Sequence, residues 1–329
     1  MMARESRARL LLAFLAVYTI WGSTYLAIRV AIATIPPFAM AGSRFVVAGL
    51  ILYAWARWRG TPAPTSRQWR SAAVIGTLLL VGGNGGVVWS EQRVASGLAA
   101  LMVGGEPLWA VLLDWLRPGG RRPSLGVGIG LAMGFIGVAL LVSPGSLGGG
   151  PIDPLGAAAL VVSTITWAMG SIYSRQADAP RDPVLSIGAN MICGGIGLAI
   201  LSLASGELSR LDAAAFATQS VLAWAYLTAF GSIVGFSSYM WLLRHTTLAR
   251  ASTYAYVNPV VAVFLGWLVL GEVVSVRTGV AAAVIIGAVI LISAMPYLAG
   301  RRDALPAVPP LADAREREDA RQASGPGAV

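Results

Sequence analysis

Ten apolar stretches occupy this chain between Leu10 and Met295, and the second five echo the first five. Each is long enough to cross the hydrocarbon core of a bilayer as a helix, which takes roughly 17–25 residues. Each is too long for a membrane strand and lacks strict alternation, which argues against a barrel. The spans are placed at 10–33, 37–58, 69–90, 94–116, 124–143, 154–176, 183–204, 220–243, 247–270 and 276–296. An odd number of spans per half makes the second half enter the bilayer upside down. Inverted repeats of this kind are frequent in secondary transporters. The expected fold is an all-α integral membrane protein, ten transmembrane helices in two inverted five-helix repeats. Its divisions are a cytoplasmic N-terminus 1–9, a first repeat 10–143, a Gly/Pro linker 144–153, a second repeat 154–296 and a disordered cytoplasmic tail 297–329.

Composition agrees with that class. Hydrophobic residues make up 56% of the chain and charged residues only 12%, against about 25% charged in a soluble domain. All 24 basic residues are arginine. The net charge of +9 does not imply nucleic acid, because the arginines lie between apolar spans. One cysteine, Cys193, and one histidine, His245, exclude a disulfide framework, and no metal or other cofactor is expected. Residues 1–9 resemble the basic start of a signal peptide, but the apolar run after them exceeds the about 7–15 residues of such a signal. It reads as a retained first span.

Arginine placement orients the spans. Nineteen arginines fall in the two termini and in the loops after spans 2, 4, 6 and 8; the opposite side carries only Arg93, Arg210 and Arg277. The positive-inside rule then places both termini in the cytoplasm. Trp55, Trp58 and Trp69 cluster at the cytoplasmic interface, as an aromatic belt does. Gly148, Gly149 and Gly150 mark the seam between the halves.

The echo is specific. Trp21 and Arg29 correspond to Trp167 and Arg175 at an offset of 146. Trp89 and Pro107 correspond to Trp241 and Pro259 at 152, and Gly137 and Ser143 to Gly287 and Ser293 at 150. The run Tyr18-Thr19-Ile20-Trp21-Gly22-Ser23-Thr24-Tyr25, followed by Pro36-Pro37 and Arg44-Phe45, resembles the EamA family of drug/metabolite transporters. So does the run from Ser252 to Val263, which holds Tyr254, Asn258 and Pro259, together with Gly271-Glu272. Val81 to Gly85 and Phe230 to Ile233 are similar to the YedA-type branch. The resemblance covers about residues 10–296. It implies ten helices around a central cavity, and export of amino acids, metabolites or drugs from the bacterial cytoplasm across the inner membrane. Two departures stand out: Glu106 precedes Pro107 where a small neutral residue is expected, and Arg117-Pro118 replaces a Gly-Glu pair after span 4.

Candidate site residues gather near the midplane. Pro107 and Pro259 each lie about twelve residues into a span and leave a carbonyl without its helical donor. Paired breaks near the midplane point to a transport site; each could also be a packing kink. Tyr254 and Asn258 are four apart and share a helical face. Glu106 could carry a coupling proton, pair with Arg44, or bind a cationic group of the substrate. Arg44, within span 2, could anchor the fold or bind an anionic group. A charge at this depth should face the protein interior. Asn84 lies in the run Gly82-Gly83-Asn84-Gly85-Gly86, weakly helical by propensity. Trp21 and Trp167 lie near midspan and either pack or stack on substrate. Gly126, Gly130 and Gly134 in span 5, and Gly279, Ala283 and Gly287 in span 10, form small-residue ridges. Such ridges pack helices against each other or against a second subunit.

The partners expected are therefore the bilayer, a small-molecule substrate, a coupling proton and a second copy in a homodimer, with no nucleic acid. A membrane-embedded enzyme is the alternative, but it would need a clustered nucleophile and base. A further alternative is a receptor, channel or scaffold; a scaffold would not need paired midplane breaks, and a channel would commonly show an oligomeric pore with a polar stripe. The chain also lacks a phosphate-binding loop for ATP-driven transport.

Overall fold

Helices start where proline and short acceptor side chains allow. Pro37, Pro154 and Pro183 each occupy the first helical position, where a missing N–H costs nothing. The Asp153 carboxylate accepts from the Gly156 N–H at 2.7 Å, and Asp182 from the Leu185 N–H at 2.9 Å. Thr65 and Gln68 form a reciprocal capping box.

The structure is a computed structural model that describes residues 2–117, 122–142, 153–210, 212, 216–246, 251 and 253–298. The Gly148–Gly150 seam, nearly all of the linker and the tail beyond 298 lie outside the described residues. Among those described, seven helices are long and apolar enough to cross a membrane. They are α1 (Ala8–Ala31), α2 (Pro37–Trp58), α3 (Ser66–Ser90), α4 (Ser96–Leu116), α6 (Pro154–Ser174), α7 (Pro183–Ala204) and α8 (Thr218–His245). Three others, α5 (Leu125–Val142), α9 (Tyr254–Leu270) and α10 (Val276–Leu298), carry shorter apolar stretches. The outer surface is apolar where lipid would lie, with Leu50, Ile51, Ile129, Ile200 and Phe264 exposed.

Helix pairing follows a pattern. α2 packs on α7, α4 on α9 and α5 on α10. α1 packs on α8 as α3 packs on α6, and α1 on α9 as α4 on α6. These pairs are unchanged when each helix of the first five is exchanged with its counterpart in the second. Small residues permit the close approaches: a Cβ on Gly49 would lie 2.9 Å from the Gly188 carbonyl oxygen. Gly130 and Gly137 of α5 likewise abut Ile292 and Ile285 of α10. The ridge residues Gly279 and Gly287 instead face open space, and Gly134 of the other ridge abuts Leu108 of α4, so of these ridge glycines Gly130 is the one seated in the α5–α10 contact.

Three stretches widen to i→i+5 turns: Val17–Trp21 in α1, Gly76–Asn84 in α3 and Leu227–Phe236 in α8. The last two correspond, within one residue, at the offset of 152 read from the sequence. Such turns favour functional sites because they disturb the regular ladder. α4 breaks at Gly104–Gly105, where the Leu108 N–H reaches back to the Gly105 carbonyl at 3.0 Å. The Pro259 ring abuts this break, its Cγ 3.0 Å from where a Cβ on Gly104 would stand.

Candidate functional site

All seven polar and aromatic residues singled out in the sequence line one cavity: Trp21, Arg44, Asn84, Glu106, Trp167, Tyr254 and Asn258. Its cavity volume is about 70 Å³, smaller than the roughly 300–1,000 Å³ usual for small-molecule sites. The walls come from α1, α2, α3, α4, α6, α8 and α9, so both halves contribute. The two prolines do not line it. Pro107 opens the second segment of α4, and the Pro259 ring faces a separate apolar groove with Phe264 and Trp267. Each break presents its flanking residues to the cavity, Glu106 and Asn258, while the rings fill space behind.

Arg44 is only 2% exposed. Its Nη2 donates to Asn84 Oδ1 at 2.6 Å, and its guanidinium lies 4.4 Å from the Phe45 ring centroid. The glycines flanking Asn84 and the wide turn that ends there bring α3 close enough for this contact. Arg44 Nε has no hydrogen-bond partner, which leaves donor capacity for an anion. The Arg44–Glu106 pair weighed from the sequence is not formed; Asn84 takes that place.

Glu106 is fully buried in the first turn after the α4 break, where the positive helix end favours a carboxylate. It lies within electrostatic reach of Tyr239 and Tyr254. These tyrosines join Trp21 and Trp167 in one aromatic cluster, with ring centroids 5.0–5.7 Å apart. Tyr239 donates to or accepts from Ser171 at 2.9 Å. Sequence reasoning passes over Tyr239, because the position 152 earlier is Val87 and the repeat gives no signal there. Asn258, 3% exposed, keeps an Oδ1 without a partner beside this cluster.

Glu91 is a second residue the sequence does not reveal. It ends an apolar run and reads as interfacial, yet it is fully buried and neither carboxyl oxygen has a hydrogen-bond partner. Burial pushes its carboxyl well above the usual range; Arg29 opposes the rise, Glu272 adds to it and Arg44 opposes it. Glu272 has a different task. It accepts from the Ser96 N–H and hydroxyl, both at 2.8 Å, and from the Gly97 N–H at 3.1 Å, capping α4. Gly271, at φ 66°, makes the left-handed turn that aims it there.

Comparison with known proteins places this geometry. The model of the EamA-like transporter family matches the chain twice, over residues 8–143 and 154–294. The chain is 40% identical over 288 residues to the inner membrane transporter YedA of Escherichia coli (strain K12), covering 87% of this chain and 91% of that protein. It is 27% identical over 283 residues to a WAT1-related chloroplastic protein of Arabidopsis thaliana, covering 83% and 66% of the two. A transporter of Bacillus subtilis (strain 168), YvbV, is 25% identical over 269 residues, 82% of this chain and 85% of that one. One solved crystal structure shares the fold, with a TM-score of 0.62 at 19% identity over 88% of this chain and 98% of the other.

Proposed function

The chain belongs to the EamA-like transporter family and is a membrane transporter, and from that premise we propose that it is a secondary exporter of small metabolites, amino acids or drug-like molecules. It works by alternating access across the bacterial inner membrane. The observation that carries this reading is the cavity, walled by both halves and holding a buried cation, a buried carboxylate and an aromatic cluster.

The reading needs ten crossings in two inverted repeats. Three features support that arrangement: the double family match, the exchangeable helix pairing and the corresponding wide turns. The cross-links between helix ends also agree. Glu207 accepts from the Phe38 and Ala39 N–H groups, Glu272 caps α4, and Arg93 meets Asp153 at 3.4 Å. Ten alternating crossings put all six of those ends on one side. Arg67 with Asp178 at 3.8 Å, and Thr61 with Asp182 at 3.3 Å, join ends on the other. That second side carries the arginine excess, which is why both termini are assigned to the cytoplasm.

Within the cavity Arg44 offers its spare donors to an anionic group such as a carboxylate. The aromatic cluster suits a cationic or aromatic group. A molecule with both groups would span the cavity. Glu106 serves as the coupling group, taking up a proton on one face and releasing it on the other, as intramembrane carboxylates in transporters do.

A counterflow screen in proteoliposomes tests the function, using amino acids and cationic dyes with and without a pH gradient. The expected result is exchange of at least one amino acid or dye, with accumulation when the gradient is imposed. Folded protein that exchanges none of them would contradict the reading.

A further inference from the structure

Two tryptophans sit on corresponding glycines in opposite halves. A Cβ on Gly235 would stand 2.5 Å from Trp21 Nε1, and a Cβ on Gly83 would stand 2.7 Å from Trp167 Cε3. Gly83 and Gly235 correspond at the offset of 152, and Trp21 and Trp167 at 146. Each glycine lies in a wide turn, in α3 and in α8. The two indoles thus occupy equivalent seats.

The seats are equivalent, but their occupation is not. Trp21 Nε1 donates to the Gly231 carbonyl at 3.2 Å, inside the α8 wide turn. The corresponding carbonyl in α3 is that of Leu79, to which Trp167 makes no hydrogen bond; its indole N–H lies instead within reach of the Tyr239 and Tyr254 hydroxyls. α1 itself widens over Val17–Trp21, whereas the corresponding stretch of α6, 163–167, remains regular helix. In α6 a different contact holds the seat: the Ser163 hydroxyl donates to the Gly83 carbonyl. Val17 stands at the corresponding place in α1 and has no hydroxyl. Corresponding stretches that share the tryptophan, Val17-Tyr18-Thr19-Ile20-Trp21 and Ser163-Thr164-Ile165-Thr166-Trp167, therefore adopt two local states in one molecule. Alternating access in inverted-repeat transporters moves one repeat against the other around a fixed site, and an exchange of these two local states between the halves is a way to produce that motion.

We propose that Trp21 and Trp167 are positioning residues that form a reciprocal switch setting which face of the cavity is open. In the state seen here Trp21 is bonded to the wide turn of α8, whereas Trp167 is turned to Tyr239 and Tyr254 and not to the wide turn of α3. In the opposite-facing state Trp167 donates to the Leu79 carbonyl, α6 takes up the wide turn over 163–167, and Trp21 leaves Gly231. The packed aromatic cluster links the two indoles, whose centroids are 5.6 Å apart in an edge-to-face contact. A change in one is therefore felt by the other. This inference rests on the inverted-repeat transporter reading above, and it adds which atoms change partners.

The test uses the full-length protein in proteoliposomes, with Cys193 replaced by Ala and Val103 of α4, a cavity-lining residue outside the 163–167 stretch that changes, replaced by Cys. Labelling by a membrane-impermeant maleimide is measured from each side. Trp21→Phe removes a bond of the present state, and Trp167→Phe one of the opposite state. The expected result is that the two variants shift the outside-to-inside labelling ratio in opposite directions. Each shift should be roughly three- to tenfold, the loss of one hydrogen bond, and the double variant should return near the starting ratio. Benzothienylalanine at either position keeps the ring shape without the N–H and should reproduce the shift where Phe lowers thermal stability. Shifts in the same direction, or no shift in folded protein, would overturn the switch. So would labelling confined to one face in every variant. Counterflow on the same vesicles separates the two claims. Opposite shifts without exchange of any tested molecule would count against the exporter reading alone, and exchange without opposite shifts against the switch alone.

Discussion

Arg44 and Glu106 show how a charge is tolerated deep in an apolar chain. Each faces the protein interior, and each borrows its setting from a local weakness in a helix. For Arg44 the weakness is the glycine run around Asn84; for Glu106 it is the Gly104–Gly105 break. Replacing Glu106 by Gln keeps the shape but removes the titrating group. It should preserve counterflow and abolish accumulation driven by a pH gradient. Undiminished gradient-driven flux in that variant would reject Glu106 as the proton carrier. Glu91 gives a prediction of the opposite kind, about stability. Its folded-state carboxyl is held above the ordinary value, so folding takes up a proton as pH rises past about 4.3. The stability cost is absent below that pH and grows toward neutrality. Glu91→Gln should therefore raise the melting temperature near pH 7 and leave it nearly unchanged near pH 4. A lower melting temperature near pH 7 would mean that Glu91 is ionised and paired with Arg29 or Arg44.

Helix breaks and caps decide where those residues stand. Glu272 explains the Gly-Glu pair of the second half: the glycine turns the chain, and the carboxylate caps a helix of the first half. Glu272→Ala should cost about 1–2 kcal/mol of stability, as loss of a charged cap does, measured by thermal unfolding in detergent. An unchanged melting temperature would show that the cap carries no weight. The spans were largely legible because apolar length and proline placement are local properties. The fine structure was not. The wide turn of Val17–Trp21 and the regular turn of its counterpart in α6 depend on contacts with neighbouring helices, such as that of the Ser163 hydroxyl with the Gly83 carbonyl, which no local pattern announces. Pro107 and Pro259 were readable as breaks, but the direction each ring faces depends on packing: the Pro259 ring fills the space beside Gly104. Tyr239 and Glu91 were invisible for the same reason, since only tertiary contact buries them.

At the scale of the whole molecule, two halves share one cavity and hold it at two unlike sets of contacts. The orientation we propose from the arginine excess predicts that a cysteine in place of Ser146 reacts with an impermeant label from outside intact cells. Reaction only after permeabilisation would reverse the orientation. The central claim, that the cavity carries a substrate through Arg44, is tested most directly by counterflow with an amino acid that the unaltered protein exchanges. Arg44→Gln should lower that exchange at least tenfold while the protein remains folded, because a buried charge-assisted hydrogen bond is lost, worth about 1.5–3 kcal/mol. Exchange at the unaltered rate in folded Arg44→Gln protein would contradict it.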